Sequence, residues 1–320
     1  MNLKLNPIVI CFLAVGLLAC GNRQQLNSST PKKEVVRSVL AESNSPVKTQ
    51  LEYDDVVTIK DSEYVVIPVG YRVRADKRII YSDADQVYRA SKSDIWQGTL
   101  AAVNLVFHGH QSDRTHLLLD RNAFVAEFDY LANSQPINSK IDRTTTVSSC
   151  QPPKGTPLDH RFTRLMLYQI VKQDTDQDGV LDFGDANQGY ISDLSGQNLQ
   201  VITPDLTKLK GWHCDYQREK LLLFVQESTK KTSSKEIDPL VLYTYSLNGN
   251  KLKRITPPQS HLENWQIELK DGSMYLFSRL DANGDRQYNA ADETRVIKYS
   301  LETETAVEIN DPQIRQLLSQ

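Results

Sequence analysis

Apolar residues along this chain come in short runs rather than at helical spacing. Leu165–Val171 and Leu221–Val225 are nearly continuous, Val241–Leu247 and Thr294–Tyr299 alternate with polar residues, and turn pairs such as Asn248-Gly249 and Asp271-Gly272 close them. Runs of this length bounded by turn signals predict strands. Helix is expected only in two short stretches, around Val35–Leu40 and over the tail Asp311–Leu318.

The runs repeat. Val201-Ile202-Thr203-Pro204 recurs as Arg254-Ile255-Thr256-Pro257, 53 residues later, and Val307–Asn310 falls another 53 on. Between these ends the units share an order: a strand near an aromatic, an apolar strand, a loop, an alternating strand, a turn and a last strand. In one unit these are Trp212–Tyr216, Leu221–Val225, the polar loop Gln226–Asp238, Val241–Leu247 and Lys251–Thr256; in the next, Asn264–Leu269, Met274–Phe277, Val296–Leu301 and Val307–Ile309. An earlier unit would use Glu63–Val69, Ala102–Phe107 and Thr115–Asp120, with Ala75–Gly98 as a polar insertion. Asp120 lies 84 residues before Pro204, and Ala132–Arg161, rich in Asn, Ser, Thr and Pro, accommodates the excess as a surface loop in the second unit. Residues near Leu51 and Val57 are available to add strands. Four-stranded units at this period predict an all-β fold, a β-propeller with four recognisable blades.

One stretch carries candidate chemistry. Asp174, Asp176, Asp178, Gly179, Val180, Asp182 and Asp185 stand where a calcium loop places oxygen ligands at positions 1, 3 and 5, a turn glycine at 6, a backbone carbonyl at 7, and further ligands at 9 and 12. Asp185 is shorter than the Glu that helix-loop-helix sites use at position 12. The flanks Leu165–Val171 and Gly189–Leu194 read as strands, so this is a calcium-type loop inside a hairpin. Asp281, Asn283, Asp285, Gln287, Asn289 and Asp292 repeat the pattern between Met274–Ser278 and Thr294–Tyr299, with Arg286 in the place of the glycine. One or two Ca2+ ions are therefore expected.

The blades ended by Ile-Thr-Pro resemble the TolB-like and WD40-like repeats of bacterial envelope propellers, across Phe124–Asn310. The aspartate loops resemble the DxDxDG calcium loops inserted in propeller blades. The resemblance implies a propeller with an interaction surface and brings no catalytic residue with it.

At the start of the chain, Lys4 precedes the apolar run Ile8–Ala19, too short for a comfortable membrane span. Leu17–Cys20 resembles the lipobox of bacterial lipoproteins, in which Cys20 is lipidated. The expected organisation is a signal peptide over 1–19, an anchor and flexible tether over 20–50, and the propeller over 51–320. Asn22, by resemblance to that class, favours an outer-membrane anchor facing the periplasm. Of four cysteines, Cys11 would leave with the signal and Cys20 would carry lipid, so Cys150 and Cys214 are expected to pair in an oxidising compartment. Net charge is −3 with both signs interspersed, which argues against a nucleic-acid surface.

Nucleophile-elbow, zincin, Walker and dinucleotide patterns are absent. His108, Gly109, His110 and His116 look like a strand end and turn rather than a metal pair. Two readings follow: a lipid-anchored, non-catalytic envelope module binding a protein or envelope polymer, or a carbohydrate-active or hydrolytic enzyme using acids at the propeller mouth.

Overall fold

The computed structural model divides into residues 1–46 and 47–320. It describes residues 51–72, 79–83, 86–90, 100–121, 123–133, 150–177, 181–227, 236–268 and 270–309. The signal, lipobox, tether and both expected short helices lie outside those residues.

The fold is an all-β propeller arrangement of successive antiparallel sheets. The first holds β1 (Leu51–Tyr53), β2 (Val57–Thr58), β3 (Tyr64–Arg72), β6 (Leu100–Gly109) and β7 (Thr115–Leu117), ordered β1-β3-β6-β7 with β2 also paired to β3. Between β3 and β6, a hairpin of β4 (Ile79–Asp83) and β5 (Gln86–Ala90) lies in the stretch expected as a polar insertion. Its alternation, Ile79, Tyr81, Val87 and Tyr88 among charges, is too short and too polar to stand out in the sequence. The second sheet is β8 (Phe124–Tyr130), β9 (Leu165–Val171), β10 (Gln188–Asp193) and β11 (Gln200–Val201). The third is β12 (Thr207–Asp215), β13 (Lys220–Glu227), β14 (Leu240–Ser246) and β15 (Lys251–Arg254). The fourth is β16 (Ser260–Glu268), β17 (Ser273–Leu280), β18 (Glu293–Ser300) and β19 (Thr305–Glu308).

Three cores separate these blades. Phe107, Leu105, Tyr168 and Ile170 fill the space between the first two, Trp212, Leu167, Leu223 and Tyr245 that between the second and third, and Phe224, Leu222, Leu276 and Tyr299 the last. In each, the third strand of one blade meets the first of the next, β6 with β8, β10 with β12 and β14 with β16. This explains the two hydrophobic patterns. β13 has a core on both faces, so Leu221, Leu222, Leu223, Phe224 and Val225 are all buried, whereas in β17 Met274 and Leu276 are buried and Tyr275 and Phe277 only half so.

The Ile-Thr-Pro ends are structural fasteners. Ile202 N donates to Gly189 O at 2.9 Å, and Gly189 N donates to the Thr203 hydroxyl at 2.9 Å; Ile255 and Thr256 make the same pair of contacts with Leu242. The next turn is also copied, with Leu206 and Gln259 both at positive φ, 56° and 55°. A third repeated device is a bulge in the first strand, which falls between Val125 and Glu127, Leu209 and Gly211, and Leu262 and Asn264. Thr203→Val keeps the shape and leaves the buried Gly189 amide without its acceptor. It is expected to lower stability by about 1–3 kcal/mol in urea denaturation.

The disulfide joins Cys150 to Cys214, with Cα atoms 4.9 Å apart. It ties the long connection between β8 and β9 to the first strand of the next blade. That connection ends in a short 3-10 turn, Arg161–Arg164, whose Phe162 enters the core beside Trp212.

Candidate metal centre and the polar rim

The first loop hangs between β9 and β10, its apolar side anchored by buried Leu181 and by Phe183, whose ring meets Phe124 edge-on at 5.0 Å. The acidic side runs from exposed Asp176 through half-buried Asp174 to buried Asp185. Carboxylate oxygens of Asp174, Asp176 and Asp185 all lie within 4.8 Å of one another. Oxygens bound to Ca2+ at about 2.3–2.6 Å stand at most about 5 Å apart, so the three can share one cation of that size. Gly184 is part of the cradle: a Cβ there would sit 2.8 Å from both Asp176 Oδ2 and Asp182 Oδ1, which places the Asp182 carboxylate beside the trio. Asp178, Gly179 and Val180 lie outside the described residues.

Asp185 is fully buried and brackets the loop. Its Oδ1 accepts from Thr175 N at 2.5 Å, Thr175 Oγ1 at 3.1 Å and Asp176 N at 3.3 Å, and its Oδ2 accepts from Asp182 N at 3.0 Å. Burial pushes its carboxyl above the usual range and the Asp176 charge adds to this, against the three backbone donors. A bound cation would relieve both effects. From the next blade, Lys208 Nζ donates to the carbonyls of Phe183 and Gly184, fixing the loop on β12.

The second loop, between β17 and β18, copies this bracket 107 residues on. Asp292 Oδ2 accepts from Asn289 N at 2.8 Å as Asp185 Oδ2 does from Asp182, and Asn289 Oδ1 accepts from Ala291 N as Asp182 Oδ1 does from Gly184. Gln177 and Gly284, at equivalent positions, both have positive φ, 63° and 75°. Arg286 takes the left-handed conformation expected of a glycine, φ 57°, so the turn forms despite its side chain. The ligand set is looser, because Asp281, Asp285 and Asp292 do not converge as the first trio does. Asp285 Oδ2 accepts from the amides of Asn283 and Gln287, while Oδ1 atoms of Asp281 and Asp292 are buried without a hydrogen-bond partner. Those two atoms are the ones a cation would satisfy there.

Among the described residues, part of the connection between β13 and β14 reaches the second loop. Blade three contributes its loop through Ile237 N, which donates to Arg286 O at 2.9 Å, and through Glu236, 3.4 Å from the Arg286 guanidinium. His261 accepts from Leu240 N through Nδ1 and lies against Tyr288; burial keeps it below the usual histidine range. His108 pairs with the Thr115 hydroxyl at 2.9 Å and lies 3.9 Å from Asp113, and its ring meets that of His110 edge-on at 6.2 Å. His116 stacks on Phe107 at 5.7 Å. Of the three, His108 and His116 are strand residues with structural neighbours, and His110 stands in the turn.

One group was not singled out by the sequence reading. Glu127, just past the β8 bulge, receives a hydrogen bond from Gln169 Nε2 at 2.6 Å, and Gln169 Oε1 in turn accepts from Asn187 Nδ2 at 2.6 Å. Burial, reinforced by the charge of Asp129 and opposed by the Gln169 bond, pushes the Glu127 carboxyl up to about 7. The available signal was the bulge, visible only once the strands are aligned. Because the folded state holds a proton that the unfolded chain releases near 4.5, this stabilising term is complete below about pH 4.5 and is lost as pH rises through about 7. Glu127→Gln is therefore expected to match the parent at pH 4.5 and exceed it by roughly 2 kcal/mol at pH 8 in paired denaturation curves.

No known family model matches the chain. No curated protein matches it either. Among solved structures it is similar to TolB from Acinetobacter baumannii, with 11% identity over 86% of this chain and a TM-score of 0.28. It is also similar to the GH74 enzyme of Niastella koreensis, at 9% identity over 80% of this chain with a TM-score of 0.34, and to Porphyromonas gingivalis dipeptidyl peptidase 4, at 7% over 87% with a TM-score of 0.34. The chain spans 56% of the TolB chain, 38% of the GH74 chain and 41% of the peptidase chain. Similarity of this order leaves chemistry and partner to be argued from the residues themselves.

Proposed function

We propose that this chain is a lipid-anchored envelope propeller that binds a protein or envelope polymer without chemistry, with Ca2+ stiffening the loops of one rim. The observation that supports it best is the first loop, where carboxylate oxygens of Asp174, Asp176 and Asp185 lie within 4.8 Å of one another. In this reading Asp174, Asp176, Asp182 and Asp185 hold the ion, with Asp178 and the Val180 carbonyl completing the set, and the second loop takes a weaker ion through Asp281 and Asp292. The ion supplies rigidity and removes the loop carboxylates from proton transfer. Cys20 carries the acyl anchor, and the periplasmic face of an outer membrane is the proposed site.

Gly184→Ala tests the metal. The added methyl must displace two carboxylates, so Ca2+ affinity measured by calorimetry is expected to fall more than tenfold while stability in chelator stays within about 0.5 kcal/mol of the parent. Absence of calcium uptake by the parent protein would remove the ion from the proposal. For the anchor, radiolabelled palmitate is expected in the parent and not in Cys20→Ala. For binding, crosslinking in intact cells followed by purification is expected to recover one stoichiometric partner.

Glu127 is the observation favouring the second reading. A carboxyl titrating near neutrality beside Asp129 has the character of a general acid. Turnover of polysaccharide or peptidoglycan fragments, abolished by Glu127→Gln, would replace the binding module with a hydrolase.

A further inference from the structure

Away from the calcium-type loops, on the rim that carries the turns between third and fourth strands, two cavities of 590 and 280 Å³ adjoin. They share Arg164 and Asp193 and so form one groove, running from the β2–β3 turn of the first blade to the β14–β15 turn of the third. Its first end is acidic, lined by Asp61, Glu63 and Asp159. Its other end holds Arg161, and Arg164 stands on the wall common to both cavities, facing the acids from there. Apolar surface lies among the charges of the acidic cavity: Leu158 is 75% exposed, and Leu194 and Tyr64 are half-buried.

The charges differ in how far they are already used. Asp193 is consumed by its own turn, accepting from Ser195 N, Ser195 Oγ, Gln197 N and Asn198 Nδ2. Arg161 is held by the Leu247 carbonyl and the Asn248 side chain. Arg164 makes neither a hydrogen bond nor an ion pair among the described residues, although its exposed guanidinium lies on the wall shared by both cavities. Unused charges of opposite sign around exposed apolar surface are complementary to one kind of occupant.

We infer that this groove binds an extended peptide segment bearing a basic side chain at one end, an acidic side chain or carboxylate at the other, and apolar residues between. The basic group lies against Asp61, Glu63 and Asp159, and the carboxylate takes the Arg164 fork, which suits two parallel hydrogen bonds. The inference rests on the binding-module reading and names its site and its class of partner. A neutral polysaccharide would use neither the acids nor the Arg164 guanidinium as charges.

The test uses the full-length protein in detergent and short synthetic peptides, blocked at both termini, with lysine and glutamate at opposite ends of an apolar stretch in both orders. One order is expected to bind in fluorescence anisotropy. Arg164→Glu and, separately, Asp159→Lys are each expected to weaken it about tenfold. A peptide with lysine in place of its glutamate should restore binding to Arg164→Glu, and one with glutamate in place of its lysine should restore Asp159→Lys, a rescue that general damage to the fold cannot produce. Failure of both orders to bind, binding indifferent to the two substitutions, or displacement of the peptide by neutral polysaccharide would overturn the groove. If a partner is still recovered from cells and is retained by Arg164→Glu, the groove falls and the binding module stands.

Discussion

Replacing Asp185 with alanine is expected to cost about 3–5 kcal/mol and to remove most of the response of stability to calcium, leaving the smaller part that belongs to the second loop. The first part follows from hydrogen bonds alone. The buried carboxylate accepts four donors, from Thr175 N, Thr175 Oγ1, Asp176 N and Asp182 N, and alanine strands them inside the loop. Each stranded donor costs about 1–3 kcal/mol, and because all four share one bracket the losses overlap rather than add. The second part follows from mass action: an ion that binds only the folded state stabilises it by about 2.7 kcal/mol at a hundred times its dissociation constant. Urea denaturation of parent and variant, with calcium and with chelator, separates the two. A loss of equal size in both conditions would mean that Asp185 only braces the loop. A larger loss in calcium makes it a ligand as well.

The copied bracket at Asp292 sets the comparison. It receives one donor, from Asn289, and keeps an unpartnered oxygen, so Asp292→Ala should cost less in chelator than Asp185→Ala. The difference between the loops lies in their chemistry, since an amide at Asn283 or Asn289 cannot match the charge of the carboxylates at Asp176 and Asp182.

Much of this architecture can be read directly from residue order. The 53-residue spacing of Thr203 and Thr256 is the spacing of two hydroxyls doing one job, which is why it survives while the residues around it change. β13 announces its burial by an unbroken Leu-Leu-Leu-Phe-Val run, whereas the apolar run Met274–Phe277 of β17 does not show that Tyr275 and Phe277 are only half-buried. The loops are legible because oxygen ligands must come at fixed intervals to converge. What could not be read depends on contacts between distant segments. Hairpin β4–β5 has only the three-residue apolar run Ile79–Tyr81, Glu127 looks like any strand glutamate until Gln169 and Asn187 are set beside it, and Arg164 joins Asp61 and Glu63 only through the packing of one blade on the next. Leu51 and Val57 were visible as apolar residues, but their place in the first sheet is fixed by register with Tyr71 and Val66.

Removing the Cys150–Cys214 bond is expected to lower stability by about 4 kcal/mol and the melting midpoint by on the order of 10 °C. The bond closes a segment with a sequence separation of 64 residues, and closing a loop of that length restricts the unfolded chain by about that amount in the chain-entropy account. The folded state adds to the effect. Cys150 is carried on the connection between β8 and β9, which also holds to the third blade through the Tyr216 hydroxyl donating to Cys150 O at 2.7 Å, through His160 and Arg161 on the Tyr216 and Leu247 carbonyls, and through Phe162 in the core. Both sulfurs are buried with Trp212 and Leu131, so Cys150→Ala with Cys214→Ala leaves an apolar pair without stranding a polar group. Denaturation of this double variant against the parent, with and without reductant, gives the size of the constraint. Reductant should move the parent toward the variant and leave the variant unchanged. A parent that loses less than about 1 kcal/mol on full reduction would show that the connection is held by Phe162 and Tyr216 instead. The same loosening would then reach the wall of the groove, because Leu158, Asp159 and Arg164 follow Cys150 on that one connection.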